Sequence, residues 1–232
     1  MNILLTGASR GIGAATIKTL REAGHRVAGQ STAGGDGLIA ADFADLSAPR
    51  ALWQAALAEL GTIDVLVNNA GVFEGVADHA SDDEWHAVWA RTLGINLQAS
   101  ADLCRFAIAH FRQRDGGRIV NVASRAAYRG DSPEHWQYAA SKAGMMAMTK
   151  SIARGYAHEG ILCFAVCPGF TMTGMVEELI ASPGGEKLLA DIPLGRAAAP
   201  EEIAETIRWL SSDAPPSATG AVIDVNGASY VR

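Results

Sequence analysis

Short runs of β-branched and apolar residues recur along this chain between longer stretches in which apolar positions return every three or four residues. The first pattern is that of strands buried on both faces, the second that of amphipathic helices. Strands are predicted over Asn2–Thr6, Arg26–Gln30, Gly37–Ala41, Ile63–Asn68, Gly117–Ala123, Ile161–Cys167 and Ala221–Val225. Helices are predicted over Ile12–Ala23, Pro49–Leu60, Asp82–Arg114, Trp136–His158 and Pro200–Ser211. Strand and helix alternate from start to finish, which predicts an α/β fold: a doubly wound parallel sheet of about seven strands in a single domain, 1–232.

Local signals support these boundaries. Ser81 followed by Glu84 reads as a capping box, Pro49 and Pro200 suit a first helical turn, and Asp82, Asp83 and Glu84 complement a helix dipole. One interval is abnormal. Between the second and third strands only Ser31 to Asp36 remain, too few for the dozen residues of a usual parallel crossover. The crossover helix is therefore expected to be missing, replaced by a Gly-rich loop.

Composition narrows the class. The chain has 232 residues, 49% of them apolar, and a net charge of -6 without any basic block. A phosphate-tracking groove for nucleic acid has no source here, and no stretch approaches a membrane span of about 20 residues. Met1 runs directly into a strand with no basic leader, so a soluble, unprocessed, cytoplasmic protein is expected. Three cysteines argue for a reducing compartment. Cys163 and Cys167 lie about 13 Å apart along an extended strand, too far to share an ion, and no metal site is expected.

Directly after the first strand stands Thr6-Gly7-Ala8-Ser9-Arg10-Gly11-Ile12-Gly13, followed at once by a helix. Glycine permits the sharp turn and the close approach of a pyrophosphate to helix N-terminal N–H groups. The spacing is Gly-x3-Gly-x-Gly, not the G-x-G-x-x-G fingerprint. This segment resembles the glycine motif of the short-chain dehydrogenase/reductase family. Asn68-Asn69-Ala70-Gly71, Tyr138-x3-Lys142 and Pro168-Gly169 resemble further motifs of that family, in order and at suitable intervals. The resemblance implies a Rossmann-like fold, a nicotinamide cofactor and hydride transfer between a carbonyl and a secondary alcohol.

A carboxylate at the end of the second strand would select NAD by binding the ribose 2'-hydroxyl. That place holds Gln30, Ser31 and Thr32, and Arg10 in the turn can receive a 2'-phosphate, so NADP(H) is favoured over NAD(H). Asp36 folding back toward the ribose, or Arg10 serving as a plain surface charge, would reverse this. Gly7, Ser9, Gly11, Ile12 and Gly13 form the expected phosphate turn. By resemblance Asp42 and Phe43 hold the adenine, Asn69, Ala70 and Gly71 the adenosine ribose side, and Pro168, Gly169, Thr171 and Thr173 the nicotinamide end. Asp42 is equally readable as a turn residue.

Tyr138 and Lys142, four apart on a helix, project from one face. Ser124 ends a strand at the edge where doubly wound sheets bind ligands. The resemblance assigns catalysis to Asn96, Ser124, Tyr138 and Lys142. Tyr138 is expected to exchange a proton with the substrate oxygen, with its pKa lowered from near 10 by the Lys142 ammonium, worth ~3 kcal/mol at about 5 Å, helped by an oxidised nicotinamide. Ser124 would stabilise the growing oxyanion, and Lys142 would also bind the nicotinamide ribose. Asn96, poorly suited to mid-helix, must have its side chain satisfied, and by resemblance its backbone holds a relay water.

Thr171 to Ala199, with Met172, Met175, Leu179, Ile180, Leu188 and Leu189, reads as a lid, and Phe73, Trp136 and Met175 as candidate walls of an apolar pocket. The pattern most resembles 3-oxoacyl (beta-ketoacyl) carrier-protein reductases. Arg125 and Arg129 would then help to dock an acidic carrier, or are simply surface charges. A sugar, steroid or small secondary-alcohol dehydrogenase using NAD and a non-catalytic dinucleotide sensor stay open. The final Val225-Asn226-Gly227-Ala228-Ser229-Tyr230 departs from the Asp-Gly-Gly frequent in relatives. The resemblance implies a homotetramer or homodimer paired through the long helices.

Overall fold

The computed structural model describes residues 1–174 and 189–232. Its apolar runs form β1 (Asn2–Leu5), β2 (Arg26–Ser31), β3 (Leu38–Ala40), β4 (Val65–Asn68), β5 (Gly117–Val122), β6 (Ile161–Pro168) and β7 (Val222–Val225). All neighbours pair in parallel, in the order β3-β2-β1-β4-β5-β6-β7. The chain leaves β1 toward β3 and then returns to place β4 on the other side of β1. The carboxyl ends of β1 and β4 thus flank the switch point, where open α/β sheets bind ligands.

Successive strand residues point to opposite faces, and both faces are covered. On one, Ile3, Leu5, Val67 and Phe164 pack with Leu20 of α1 (Gly11–Glu22) and Ile203, Ile207 and Leu210 of a C-terminal helix. We label that helix α7 (Pro200–Ser212). On the other, Leu4, Leu66 and Ile119 meet Leu52 of α2 (Ala48–Leu60), Leu103 and Phe111 of α4 (Ala99–Phe111) and Ile152 of α6 (Trp136–Tyr156). Cys104, Cys163 and Cys167 are buried free thiols. No helix among the described residues is long and apolar enough to cross a membrane.

The crossover between β2 and β3 is indeed a loop. Gly34, Gly35, Asp36 and Gly37 all have positive φ, and the Ser31 hydroxyl accepts the Gly34 N–H at 3.0 Å. Left-handed residues turn the chain back where a helix would otherwise do so.

Other elements differ from expectation. The predicted long helix is α3 (Asp82–Leu93), a π-helical turn at Gly94–Gln98 and then α4, which ends at Phe111. A short α5 (Ala126–Arg129) follows β5 and has no sequence period long enough to announce it. At the two ends of the segment read from the sequence as a lid, Thr171 bridges Ala198 and the Met172 N–H donates to the Ala198 carbonyl at 2.8 Å. Met175, Leu179, Ile180 and Leu188 lie outside the described residues.

Candidate active site

The glycine turn is shaped by close contact. A Cβ on Gly7, whose φ is +66°, would lie 2.8 Å from the Ala70 Cα, and one on Gly13 would collide with the Gly7 carbonyl oxygen. Gly11 begins α1 at φ +52°, under the Thr173 methyl. The turn therefore sits against the segment after β4, and the first N–H groups of α1 are without intrahelical partners. Ser9 and Arg10 are exposed, Ile12 is half-buried.

Side chains far away in sequence hold this cradle. The Thr6 hydroxyl accepts the N–H groups of Asn69 (2.9 Å) and Ala70 (3.0 Å), and the Asn69 amide donates to the Thr6 and Gly7 carbonyls, each at 3.0 Å. Gln30, buried, accepts the Gly7 N–H at 2.8 Å and donates to the Ala41 carbonyl at 2.6 Å. Sequence reasoning gave neither Thr6 nor Gln30 this scaffolding role. A buried Gln at a strand end, where it must find partners, was the available signal.

Ser31 ends β2 one residue beyond the predicted Gln30 and Thr32 follows it, with the Ser31 hydroxyl engaged by Gly34 and Thr32 exposed. Asp42 is exposed and accepts the Ala44 N–H at 3.0 Å, so it is also a turn residue. The Phe43 side chain belongs to the core, which leaves its backbone for an adenine. Pro168 and Gly169 close β6, and a Cβ on Gly169 would meet Asn226 at 2.8 Å. Thr171 is buried, and Thr173 stands over the glycine turn.

The structure brings together the four residues assigned to catalysis. Asn96 lies in the π-helical turn, fully buried. Its Oδ1 accepts the Val72 N–H at 2.8 Å, while its Nδ2 donates to the Val72 carbonyl (3.0 Å) and to Ser141 Oγ (3.1 Å). The extra residue of a π turn aims this side chain at the segment after β4, which answers why Asn stands mid-helix. Ser141 in turn donates to the Tyr138 carbonyl at 2.7 Å. Gly71 lies beside Asn96 Oδ1 and the Lys142 ammonium.

Lys142 is 4% exposed and donates to the Val122 carbonyl at 2.8 Å. Burial pushes its pKa down to about 8. Its nitrogen stands 5.8 Å from the centre of the Tyr138 ring. Ser124 beside Tyr138 favours the phenolate, yet burial outweighs this and pushes the phenol up to about 12. The expected lowering of the phenol is thus not met by this chain's own groups. Removing the phenolate's hydration costs more than the serine returns.

A nicotinamide cofactor fits this arrangement. The glycines leave a cradle that side chains would fill, and a buried ammonium with a single acceptor among the described residues has donors left for ribose hydroxyls. Among the described residues no group of His, Cys, Asp or Glu is arranged to hold a metal ion.

A doubly wound sheet with a glycine cradle at its switch point, and a serine, tyrosine and lysine converging beside it, defines a nicotinamide-dependent oxidoreductase acting between carbonyl and alcohol. A family profile described as enoyl-(acyl carrier protein) reductase matches residues 7–228, and the chain belongs to this family of short-chain dehydrogenases/reductases. It is 35% identical to an acetoacetyl-CoA reductase of Rhizobium meliloti, over 98% of this chain and 97% of the relative. It is 37% identical to a cis-4-hydroxycyclohexanecarboxylate dehydrogenase of Sinomonas cyclohexanicum, over 97% and 94%. With a 3-oxoacyl-(acyl-carrier-protein) reductase of Escherichia coli it shares 33% identity over 98% and 96%.

Proposed function

We propose that this protein reduces 3-oxoacyl-type ketones, carried as thioesters of coenzyme A or an acyl carrier protein, with NADPH preferred over NADH. The observation that carries the reading is the convergence of Ser124, Tyr138 and Lys142 beyond the carboxyl end of β5, braced by Asn96. The relatives named for acetoacetyl-CoA and 3-oxoacyl substrates support the substrate class.

The bound cofactor supplies the hydride. Tyr138 donates its proton to the substrate oxygen as negative charge grows there, and Ser124 donates a second hydrogen bond to the same oxygen. Lys142 holds the ribose hydroxyls and lends positive charge to the phenol when protonated. Asn96, through Val72 and Ser141, fixes both the segment after β4 and the first turns of α6, so that substrate and phenol keep one mutual geometry.

Support for NADPH is the lack of an acid at Gln30, Ser31 and Thr32, with exposed Arg10 beside the turn. Assembly as a homotetramer or homodimer through α4 and α6, in the cytoplasm, completes the proposal. The groove between those helices, lined by Cys104, Ile108, Met148 and Tyr156, supports the assembly, and the three free thiols the compartment. Carrier docking through Arg125 and Arg129 has less support, because Asp191 pairs with both, at 3.6 and 2.6 Å.

The test is a rate comparison of NADPH with NADH on acetoacetyl-CoA and on longer 3-oxoacyl thioesters, for wild type and Tyr138→Phe. Consumption of NADPH by wild type, lost in Tyr138→Phe with cofactor affinity retained, is expected. Full activity in the variant, or no turnover of any ketone with either cofactor by wild type, refutes the reading.

A further inference from the structure

Phe73 is a large apolar side chain left 41% exposed although it touches the tyrosine at the centre of the site. Its ring meets that of Tyr138 edge-on, with centroids 4.8 Å apart and planes at 88°. On its other side it stacks on His135, with centroids 3.8 Å apart and planes 6° from parallel.

The ring is not free to swing away. Val72 before it is clamped through both backbone groups by Asn96, and the Glu74 carbonyl after it accepts from Gln137 Nε2 at 2.6 Å. Val76 N–H donates to the Glu134 carbonyl at 2.9 Å, and the His135 ring is held by the Ser132 hydroxyl at 2.6 Å. Two segments distant in sequence are thus stitched together so that one aromatic face stays fixed and open beside the phenol.

We propose that the stacked pair Phe73–His135 is the wall of the substrate site, and that Phe73 selects ketones with a bulky, neutral, apolar substituent next to the reacting carbonyl. The proposal rests on the ketone-reductase reading and adds to it the residue that sets substrate preference. A carbonyl oxygen hydrogen-bonded to Tyr138 lies about 2.7 Å from the phenol oxygen, so a substituent on its carbon has the neighbouring ring within reach. Aromatic faces gain by covering apolar groups. Charge points the same way. Glu74, Glu134 and Asp131 flank the wall, and Arg91, the cation paired with Glu74 at 3.0 Å, is occupied by it. An anionic substituent at this place would meet repulsion.

The test compares ethyl acetoacetate with ethyl benzoylacetate as substrates of wild type, Phe73→Ala and Phe73→Leu, with cofactor affinity measured alongside. Wild-type turnover of the small ester checks the underlying reading separately from the wall. For Phe73→Ala we expect kcat/KM on the aryl ester to fall about 30-fold, mainly through KM, and on the methyl ketone less than about 3-fold. Cofactor affinity stays unchanged, and Phe73→Leu regains part of the loss. Equal losses on both esters would show that Phe73 merely supports Tyr138, and no loss on either would show an idle surface ring; both overturn the proposal. Should wild type turn over neither ester, the functional reading is judged on the thioesters alone, and the wall is read from calorimetric binding of ethyl benzoylacetate. Weaker binding in Phe73→Ala sustains it, whereas equal or absent binding overturns it.

Discussion

Lys142→Met should make the cofactor-free protein more stable at neutral pH while removing its activity. The lysine is 4% exposed, and burial lowers its pKa from 10.5 to about 8. That difference of about 2.5 units corresponds to ~3 kcal/mol of destabilisation, present wherever the amine is charged in both folded and unfolded chains. Methionine fills similar space without a charge. It leaves the Val122 carbonyl without its ammonium partner, which costs about 1–2 kcal/mol. The net gain at pH 7 is then ~1–2 kcal/mol, a rise in Tm of roughly 2–6 °C for a chain of this size.

The sign with pH is fixed by linkage. Between about pH 8 and 10.5 the unfolded amine holds a proton that the folded one has released, so wild-type stability rises with pH across that window. The variant has no such group, so its advantage should vanish near pH 9 and, after a total change of ~3 kcal/mol, stand as a deficit of ~1–2 kcal/mol at pH 10.5. Urea unfolding of both proteins at pH 7 and pH 10.5, without cofactor, measures this. A stability difference that is the same at both pH values would refute the reasoning, because the ammonium would then carry no burial cost.

Gly13→Ala should weaken NADPH binding at least about tenfold, since its Cβ would strike the Gly7 carbonyl; a fluorescence titration equal to wild type would exclude the cradle. Asn96→Ala unties Val72 and Ser141 and should lower both kcat and Tm, by roughly 3–8 °C, and an unchanged melting curve would show that the clamp holds nothing. With the phenol pushed up to about 12, ketone reduction should be nearly flat with pH around neutrality while alcohol oxidation climbs as pH rises; profiles of equal slope would contradict that protonation state.

Much of this fold was legible because its rules are local. The doubly wound sheet followed from alternating runs, and the absent crossover helix from the short interval Ser31 to Asp36, which the structure sets at positions 32–37 between β2 and β3. Gly7, Gly11 and Gly13 were legible because no other residue tolerates those approaches, and Tyr138 with Lys142 because four residues is one helical turn. The braces were not. Thr6 reaches Asn69, Gln30 reaches Ala41, and Asn96 reaches Val72 and Ser141, spans of 11 to 63 residues that leave no periodicity in the chain. The π-helical turn at Gly94–Gln98 is likewise written into packing, not into propensity.

The protonation of the site was the least legible feature, because it is set by burial, which only the folded chain defines. Spacing placed an ammonium near a phenol and implied a lowered pKa. In the fold the same burial that brings the two together raises Tyr138 and lowers Lys142. The consequence is directional. An alkoxide is the conjugate base of an acid far weaker than any phenol, so Tyr138 can protonate it downhill even with a pKa of about 12. The reverse reaction must first remove the phenol's proton against that burial. With the phenol raised by burial, the chain's own groups are therefore poised for reduction.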